Sequence, residues 1–443
     1  MKKQHLQVII IGGGIGGLCL AQGLKKAGIG FEIYERNRDN DSWLEGYRIN
    51  IHSVGSHALH QCLPPELWQA FLAGVGDSHE DLGFLTEQLA ELVVVDADWR
   101  VGYTQDPARL EYAAGRKMLR YILQSGLQEY TTFGKTFLRY EQLPNGQVKA
   151  IFEDGSYTVG DVLIGADGAN SRVRQQLLPH AQRVSTDAVA AAGKLMLTPA
   201  TRKWLPQALA TRMNVVMPLD KYFFFNAVFD HSQKNTHSAD QVRTAAVNAG
   251  IDPERFFSSS EDYILWSFIA NKREFATNFD ESYTNVVGTV LDKIEDWHPA
   301  LQRVIRESEP SSVSIFPLKT MRPYKNWQAT NVTILGDAAH NMPPVYGMGA
   351  NMALHDALIL YRKLTSVAAG ESELADALCS YQEKMLKDGF KALKASVDYT
   401  RQASGYNRLQ RFFSRFWFRL CTAFEPLKKK SFASRWDDLI TVA

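Results

Sequence analysis

VTILGDAAHNMPPVYGMGANMALHDA, residues 332–357, is the stretch around which the chain is organised. Its first residues, Val332 to Leu335, read as a buried strand. The strand runs into a turn at Gly336-Asp337, then a loop with paired prolines and repeated glycines. A helix follows from about Gly349, with Asn351, Leu354 and Leu358 along one side. A strand, a glycine-rich loop and a helix start together make a pocket for an anion, because the first turn of a helix carries free N–H groups and a positive dipole end.

The first forty residues indicate the anion. LQVIII, residues 6–11, is a short β-branched run of the kind buried in parallel sheets. It opens into GGGIGG, with Gly12, Gly14 and Gly17 in the G-x-G-x-x-G frame. A helix from Ile15 to about Ala27 and a second strand ending at Glu35 follow. Gly12 permits the tight turn, Gly14 lets a pyrophosphate approach the backbone, and Gly17 lets helix and strand pack closely. Glu35 lies 21 residues after Gly14, where a carboxylate can accept ribose hydroxyls. Strand, helix and acid agree on a dinucleotide.

DVLIGADGANSRVR, residues 161–174, repeats the logic: a strand, a glycine turn around Asp167, and a short basic helix capped by Asn170-Ser171. Arg116 opens a helix expected over residues 116–130, a poor place for a cation unless it faces a phosphate; a solvated surface arginine is the other reading. Arg48 and Asn50 interrupt an apolar strand, as a solvent-facing edge pair or as ligand contacts. Hairpins are expected at Asn145-Gly146 and Asp154-Gly155.

From about Val184 to Ala300 the composition shifts to β-rich aromatic runs, including Tyr222-Phe223-Phe224-Phe225 and the segment around Trp266. These suit a mostly antiparallel sheet, its aromatics forming either a core or the wall of an apolar pocket. In residues 405–430, Arg408, Arg411, Arg415 and Arg419 line one helical face beside Phe412, Phe413, Phe416 and Trp417. Two readings stand: weak contact with an anionic membrane surface, or a helix packed across the domains with its arginines solvated.

The bulk numbers fit two or three packed units. The chain has 443 residues, and 49 Lys and Arg balance 48 Asp and Glu, for a net charge of +1 that argues against nucleic acid. The four cysteines form no CxxC pair and read as reduced cytosolic thiols. No run reaches the roughly 18 apolar residues of a membrane span, so a cytoplasmic protein is expected. His52, His57 and His60 read as structural, and no metal site is expected.

Together, GGGIGG with Glu35, GADGANSRVR and GDAAHNMPPVYGMGAN resemble the three fingerprints of the class A FAD-dependent aromatic hydroxylases, over roughly residues 6–370. The resemblance implies an α/β fold: a Rossmann-like FAD-binding domain (1–183 and 301–370), an inserted, mainly antiparallel β-sheet substrate domain (184–300, with strands near 80–105), and a helical C-terminus (371–443). It places FAD against Gly12, Gly14, Ile15 and Gly17, with Glu35 and Arg36 toward the ribose. Arg48, Asn50 and Arg116 would touch the cofactor, and Asp167 would serve both FAD and the NADPH or NADH co-substrate. Asp337 would hold the ribityl or pyrophosphate part, and Pro344, Gly347, Gly349, Ala350 and Asn351 would border the isoalloxazine ring. The activity implied is hydroxylation of a small aromatic or polycyclic molecule, for example a secondary metabolite or antibiotic, by oxygen through a flavin hydroperoxide. No catalytic base is implied; Tyr222 is a weak candidate. A flavin-dependent reductase of isoprenoid chains and a non-catalytic flavin-binding protein are the alternatives. The two tryptophans of a halogenase's W-x-W motif are not present.

Overall fold

The structure is a computed structural model that describes residues 5–37, 47–77, 81–97, 105–230, 237–254, 261–275, 285–328, 330–405 and 407–432. The apolar run Gln7–Ile11 is the middle strand of a five-stranded parallel sheet. Gly30–Glu35 and then Thr131–Phe133 lie on one side, Val162–Gly165 and then Val332–Ile334 on the other. Helix α1 (Ile15–Ala27) leaves the first strand and stops at Gly28, whose φ of 69° only glycine adopts readily. Because the strands are parallel, the glycine turn after Ile11, Glu35, the turn at Ala166-Asp167 and the turn at Gly336 meet at one end of the sheet. That carboxyl edge is where α/β folds bind ligands.

Helix α2 (Arg116–Gln124) is shorter than its apolar spacing predicts. It ends at Ser125, whose hydroxyl donates to the Ala249 carbonyl at 2.6 Å, and Gly126 follows at φ 71°. An antiparallel meander, Phe137–Gln142, Val148–Phe152 and Tyr157–Gly160, turns at Gly146 and Gly155, the two positions expected for hairpins. Helices α3 (Gly349–Ala368) and α4 (Leu374–Ser404) cover the parallel sheet, and α5 (Arg408–Ala423) and α6 (Glu425–Phe432) follow.

The β-rich region forms a seven-stranded sheet, antiparallel except where Met213–Val216 runs parallel to Leu82–Leu85. Its long strands are Arg183–Met196, Phe223–Phe229, Tyr263–Asn271 and Ser314–Met321. The aromatic run around residues 222–225 enters strand Phe223–Phe229, which pairs antiparallel with the separate strand Met213–Val216. The sheet takes strands from both sides of 184–300. Alternation sorts its residues: Phe224, Trp266 and Phe268 face a core closed by helices, and Trp266 Nε1 donates to Ser308 Oγ at 2.6 Å. Phe223, Phe225 and Leu265 face the other way, toward the parallel sheet. Both readings of the aromatics hold, one on each face.

The long helices are joined by a hydrogen bond between His355 and Asp388. His355 of α3 and Lys384 of α4 both reach the Asp388 carboxylate, at 3.0 and 2.9 Å. Burial would raise the Asp388 carboxyl, but these two hydrogen bonds outweigh it and hold it below the ordinary 3.8. A depressed carboxyl stabilises the fold above its ordinary value and stops doing so as pH falls through the depressed one. Asp388→Asn is expected to melt several degrees below the natural chain at neutral pH, and the gap should narrow as pH drops below 3.8. Thermal melts across that range check this.

Candidate active site

A single cavity of about 1090 Å³ lies between the carboxyl edge of the parallel sheet and the open face of the seven-stranded sheet. That exceeds the roughly 300–1,000 Å³ of a typical one-ligand pocket. Its first end is built from helix starts. α1 begins at Ile15 after Gly14, α2 at Arg116 after Gly115, and α3 at Gly349 after Met348. None has a side-chain cap and none has an acidic residue in its first turn. Ile15, Arg116 and Gly349 all border the cavity. Three positive helix ends aimed at one space, with Arg48 and Arg116 beside them, favour a ligand carrying negative charge.

The glycine loop divides its work as its spacing indicates. A Cβ on Gly12 (φ 113°) would collide with the Ala166 carbonyl, and one on Gly17 with the Gly12 carbonyl. A Cβ on Gly14 would meet nothing within 4 Å, so its face is open to the cavity. Glu35 sits behind the loop: Gly13 N–H donates to Oε2 at 2.7 Å and Asn37 N–H to Oε1 at 2.9 Å. Arg36 is exposed outside the cavity.

Opposite the loop, Gly336 takes φ 61° and ψ −136°, a conformation reserved for glycine. It presents Asp337 to the cavity. Asp356 of α3 fixes this turn. Its Oδ2 accepts from Gly336 N–H at 2.8 Å and pairs with His340 Nε2 at 2.7 Å, with both side chains fully buried. Burial alone would lower the His340 imidazole, but the Asp356 carboxylate outweighs it and holds the pKa above its ordinary value.

Pro344, Gly347, Gly349 and Ala350 line the cavity, whereas Asn351 is buried behind them. Its amide donates to the carbonyls of Asn50 (2.9 Å) and Gly347 (3.0 Å), and its oxygen accepts from His52 N–H (2.8 Å). The Asn351 side chain thus clamps the loop to strand Arg48–Ile51, with both of its amide protons spent on backbone carbonyls. Arg48 and Asn50 border the cavity and form no solvent-facing edge pair. Arg48 is buried and donates to the Val228 carbonyl and to Asn50 Oδ1. Asp167 lies just outside the lining. Its Oδ2 accepts from Arg172 N–H (2.8 Å) and Val173 N–H (3.3 Å), capping helix Arg172–Leu177, and burial raises its carboxyl.

Tyr222 lines the cavity at its boundary with the covered core. Its ring packs on Phe268 at 5.2 Å, a residue of the helix-covered core. Burial, followed by the nearby Glu274 carboxylate, pushes its hydroxyl above 10, so it stays protonated at neutral pH. Two contributors carry no clear sequence signal. His52 borders the cavity with Nδ1 3.1 Å from Glu111 Oε1. Arg411, from the C-terminal helix, also lines it. The His340–Asp356 pair could have been suspected from two charged residues inside an apolar helix-turn stretch. Cys19 and Cys62, distant in sequence, meet in the core, where their mutual hydrogen bond and burial push the Cys19 thiol up. Among the described residues no cluster of His, Cys, Asp or Glu is placed to hold a metal ion.

This geometry fits FAD: a glycine cradle with one open position, three uncapped helix starts, and a cavity with room beyond one ligand. An FAD binding domain model matches residues 133–396, and an NAD(P)-binding Rossmann-like domain model matches residues 10–74. A crystallised protein from Photorhabdus luminescens, named for an FAD-containing monooxygenase, is 33% identical, with a TM-score of 0.77 over 90% of this chain and 98% of that one. A dual O-methyltransferase/FAD-dependent monooxygenase of Phaeosphaeria nodorum is 31% identical over 395 residues, 84% of this chain. This chain spans 41% of that protein's length, and similar fractions of the next curated relatives. The structure of Klebsiella pneumoniae HpxO with FAD and uric acid shares the fold at 18% identity and a TM-score of 0.74, over 98% of this chain and 97% of that one. The chain belongs to the FAD binding domain family of flavoprotein monooxygenases, and FAD is its cofactor. Among the described residues no helix is long and apolar enough to cross a membrane.

Proposed function

We propose that the chain is a monooxygenase that uses FAD, NADPH or NADH, and molecular oxygen to hydroxylate an apolar aromatic or polycyclic small molecule. The observation that carries this reading is the two-ended cavity: helix starts and arginines at one end, an apolar β-sheet wall at the other. The loop at Gly12, Gly14 and Gly17 with the start of α1 would receive the pyrophosphate, and Glu35, which braces the loop through Gly13 N–H, would accept the ribose hydroxyls. Arg116 and Asp337, both on the cavity lining, would hold the cofactor. The backbone of Gly347, Gly349 and Ala350 would border the flavin ring, where the start of α3 favours negative charge. Bound FAD, reduced by the nicotinamide, supplies oxygen activation. The remaining tasks belong to the protein: the wall of Phe223, Phe225, Leu265 and Ile269 orients the substrate and excludes water.

Isotope labelling tests the reading. The FAD-loaded protein, supplied with NADPH or NADH and a polycyclic phenol under labelled oxygen, is expected to yield a product with one labelled atom. Stimulation of nicotinamide oxidation by small charged benzoates alone would contradict the apolar substrate. Ser267 lies on the cavity face of the interior strand Tyr263–Asn271. Ser267→Trp is expected to keep the protein yellow while reducing substrate-stimulated turnover by about tenfold or more, since an indole there fills substrate space. Parallel flavin spectra and turnover assays check this.

A further inference from the structure

The C-terminal helix α5 is turned inside out relative to an ordinary surface helix. Its arginines at 411 and 415 point inward and are buried. Arg411 donates to the carbonyls of Pro218, Asp220, Tyr222, Ala403 and Gly405. Arg415 donates to the Met217 carbonyl at 2.8 Å through Nε and pairs with Glu87. The polar stripe is thereby locked onto the turn of the seven-stranded sheet and onto the end of α4. The apolar stripe is left outside: Leu409, Phe412, Phe413, Phe416, Trp417 and, beyond it, Phe424 are between 42% and 66% exposed. Positions 409, 412, 413, 416 and 417 fall on one helical face. A globular protein normally buries such a row, and a contiguous exposed row marks a contact surface.

The charges around the row identify the contact. Residues 405–432 carry seven Arg and Lys against one acid, Glu425. Arg411, Arg415 and Lys428 are engaged by the fold, Lys428 with Asp96 at 2.9 Å. Arg408, Arg419, Lys429 and Lys430 remain exposed at the flank and foot of the aromatic face. Aromatic side chains beside an excess of cations are the pattern of helices that lie in the plane of an anionic bilayer. A protein partner would instead have to supply matching carboxylates around an apolar centre.

We propose that the outer face of α5 docks this protein on an anionic membrane surface, with the aromatic row in the acyl boundary and the four cations on lipid headgroups. The arginine clamps transmit the attachment to the body of the protein. Phe418 and Ser414 of the same helix line the cavity, so docking brings the cavity wall next to the lipid. The proposal does not depend on which reaction the cavity supports.

The test uses the full-length, FAD-loaded protein in vesicle flotation, with phosphatidylcholine vesicles that contain or lack phosphatidylserine. The protein is expected to float with the anionic vesicles and to remain behind with the neutral ones. Phe413→Glu with Phe416→Glu should reduce flotation by more than about tenfold, and Arg408→Glu with Arg419→Glu should reduce it several-fold. The flavin spectrum and a monomeric elution establish that the variants fold. No flotation with anionic vesicles, or flotation unchanged in the aromatic variant, overturns the proposal. So does a dimer in light scattering that the aromatic variant dissolves in the absence of vesicle binding, which would assign the face to a second copy of this chain.

Discussion

Asp356→Ala is expected to remove about 3–5 kcal/mol of stability, the usual consequence of taking one partner from a buried ion pair, and to release the flavin. The carboxylate is fully buried, and one of its oxygens serves both the Gly336 N–H and the His340 ring. Alanine leaves both donors without an acceptor, and the buried imidazole loses the carboxylate that held its pKa up against burial. The strained Gly336 turn loses its tether, and with it the placement of Asp337 at the cavity. The pH dependence has a definite sign. Because the His340 imidazole is raised above 6.5 in the fold, the pair's contribution is complete below that value and fades as pH rises through the folded-state value. The stability gap between the natural chain and Asp356→Ala should therefore shrink toward alkaline pH. Chemical denaturation at mildly acidic and alkaline pH measures it, and equal stability of the two proteins in acid would refute the assignment.

Gly14→Asp is expected to give a folded, colourless protein. Gly14 has an ordinary φ of −79° and open space where a Cβ would stand, so the polypeptide accepts a side chain there. A bound pyrophosphate does not. A second negative charge within about 4 Å costs around 4 kcal/mol at an effective dielectric of 20, about a thousandfold in affinity. Gly12→Ala is the contrasting variant: its Cβ collides with the Ala166 carbonyl, so it should damage the fold as well as the site. Melting curves and flavin absorbance separate the two cases. A yellow Gly14→Asp protein would place the cofactor elsewhere.

The two predictions differ in how far the sequence leads to them. The glycine frame, the acid at position 35 and the GD turn at 336–337 are local chemistry, each tied to a backbone conformation that few residues permit, and they are readable one segment at a time. Asn145-Gly146 and Asp154-Gly155 are legible for the same reason. Other features depend on distant partners. Leu82–Leu85 joins the seven-stranded sheet beside Met213–Val216, and nothing local announces a parallel pairing across more than a hundred residues. The spacing of Arg411 and Arg415 places them on one helical face, but only the carbonyls of 217–222 make that face the inner one. They are clamped, not solvated. Asn351 stands where backbone contact with the flavin is expected, yet its side chain is spent on Asn50, Gly347 and the His52 amide. Tyr222 stands just before strand Phe223–Phe229, where it lines the cavity and also packs its ring on Phe268 of the covered core, a double placement that depends on distant partners.

The central claim is that the cavity presents reduced FAD to oxygen under protection from water. The most direct measurement is rapid mixing of the anaerobically reduced, FAD-loaded protein with oxygen, followed through the flavin absorbance. The account predicts two phases, with a spectrally distinct species between the reduced and oxidised flavin that persists longer when an apolar aromatic ligand is bound. A single-phase return to oxidised flavin, unchanged by every such ligand, would contradict it and point to a flavin-dependent reductase or a non-catalytic flavin-binding protein.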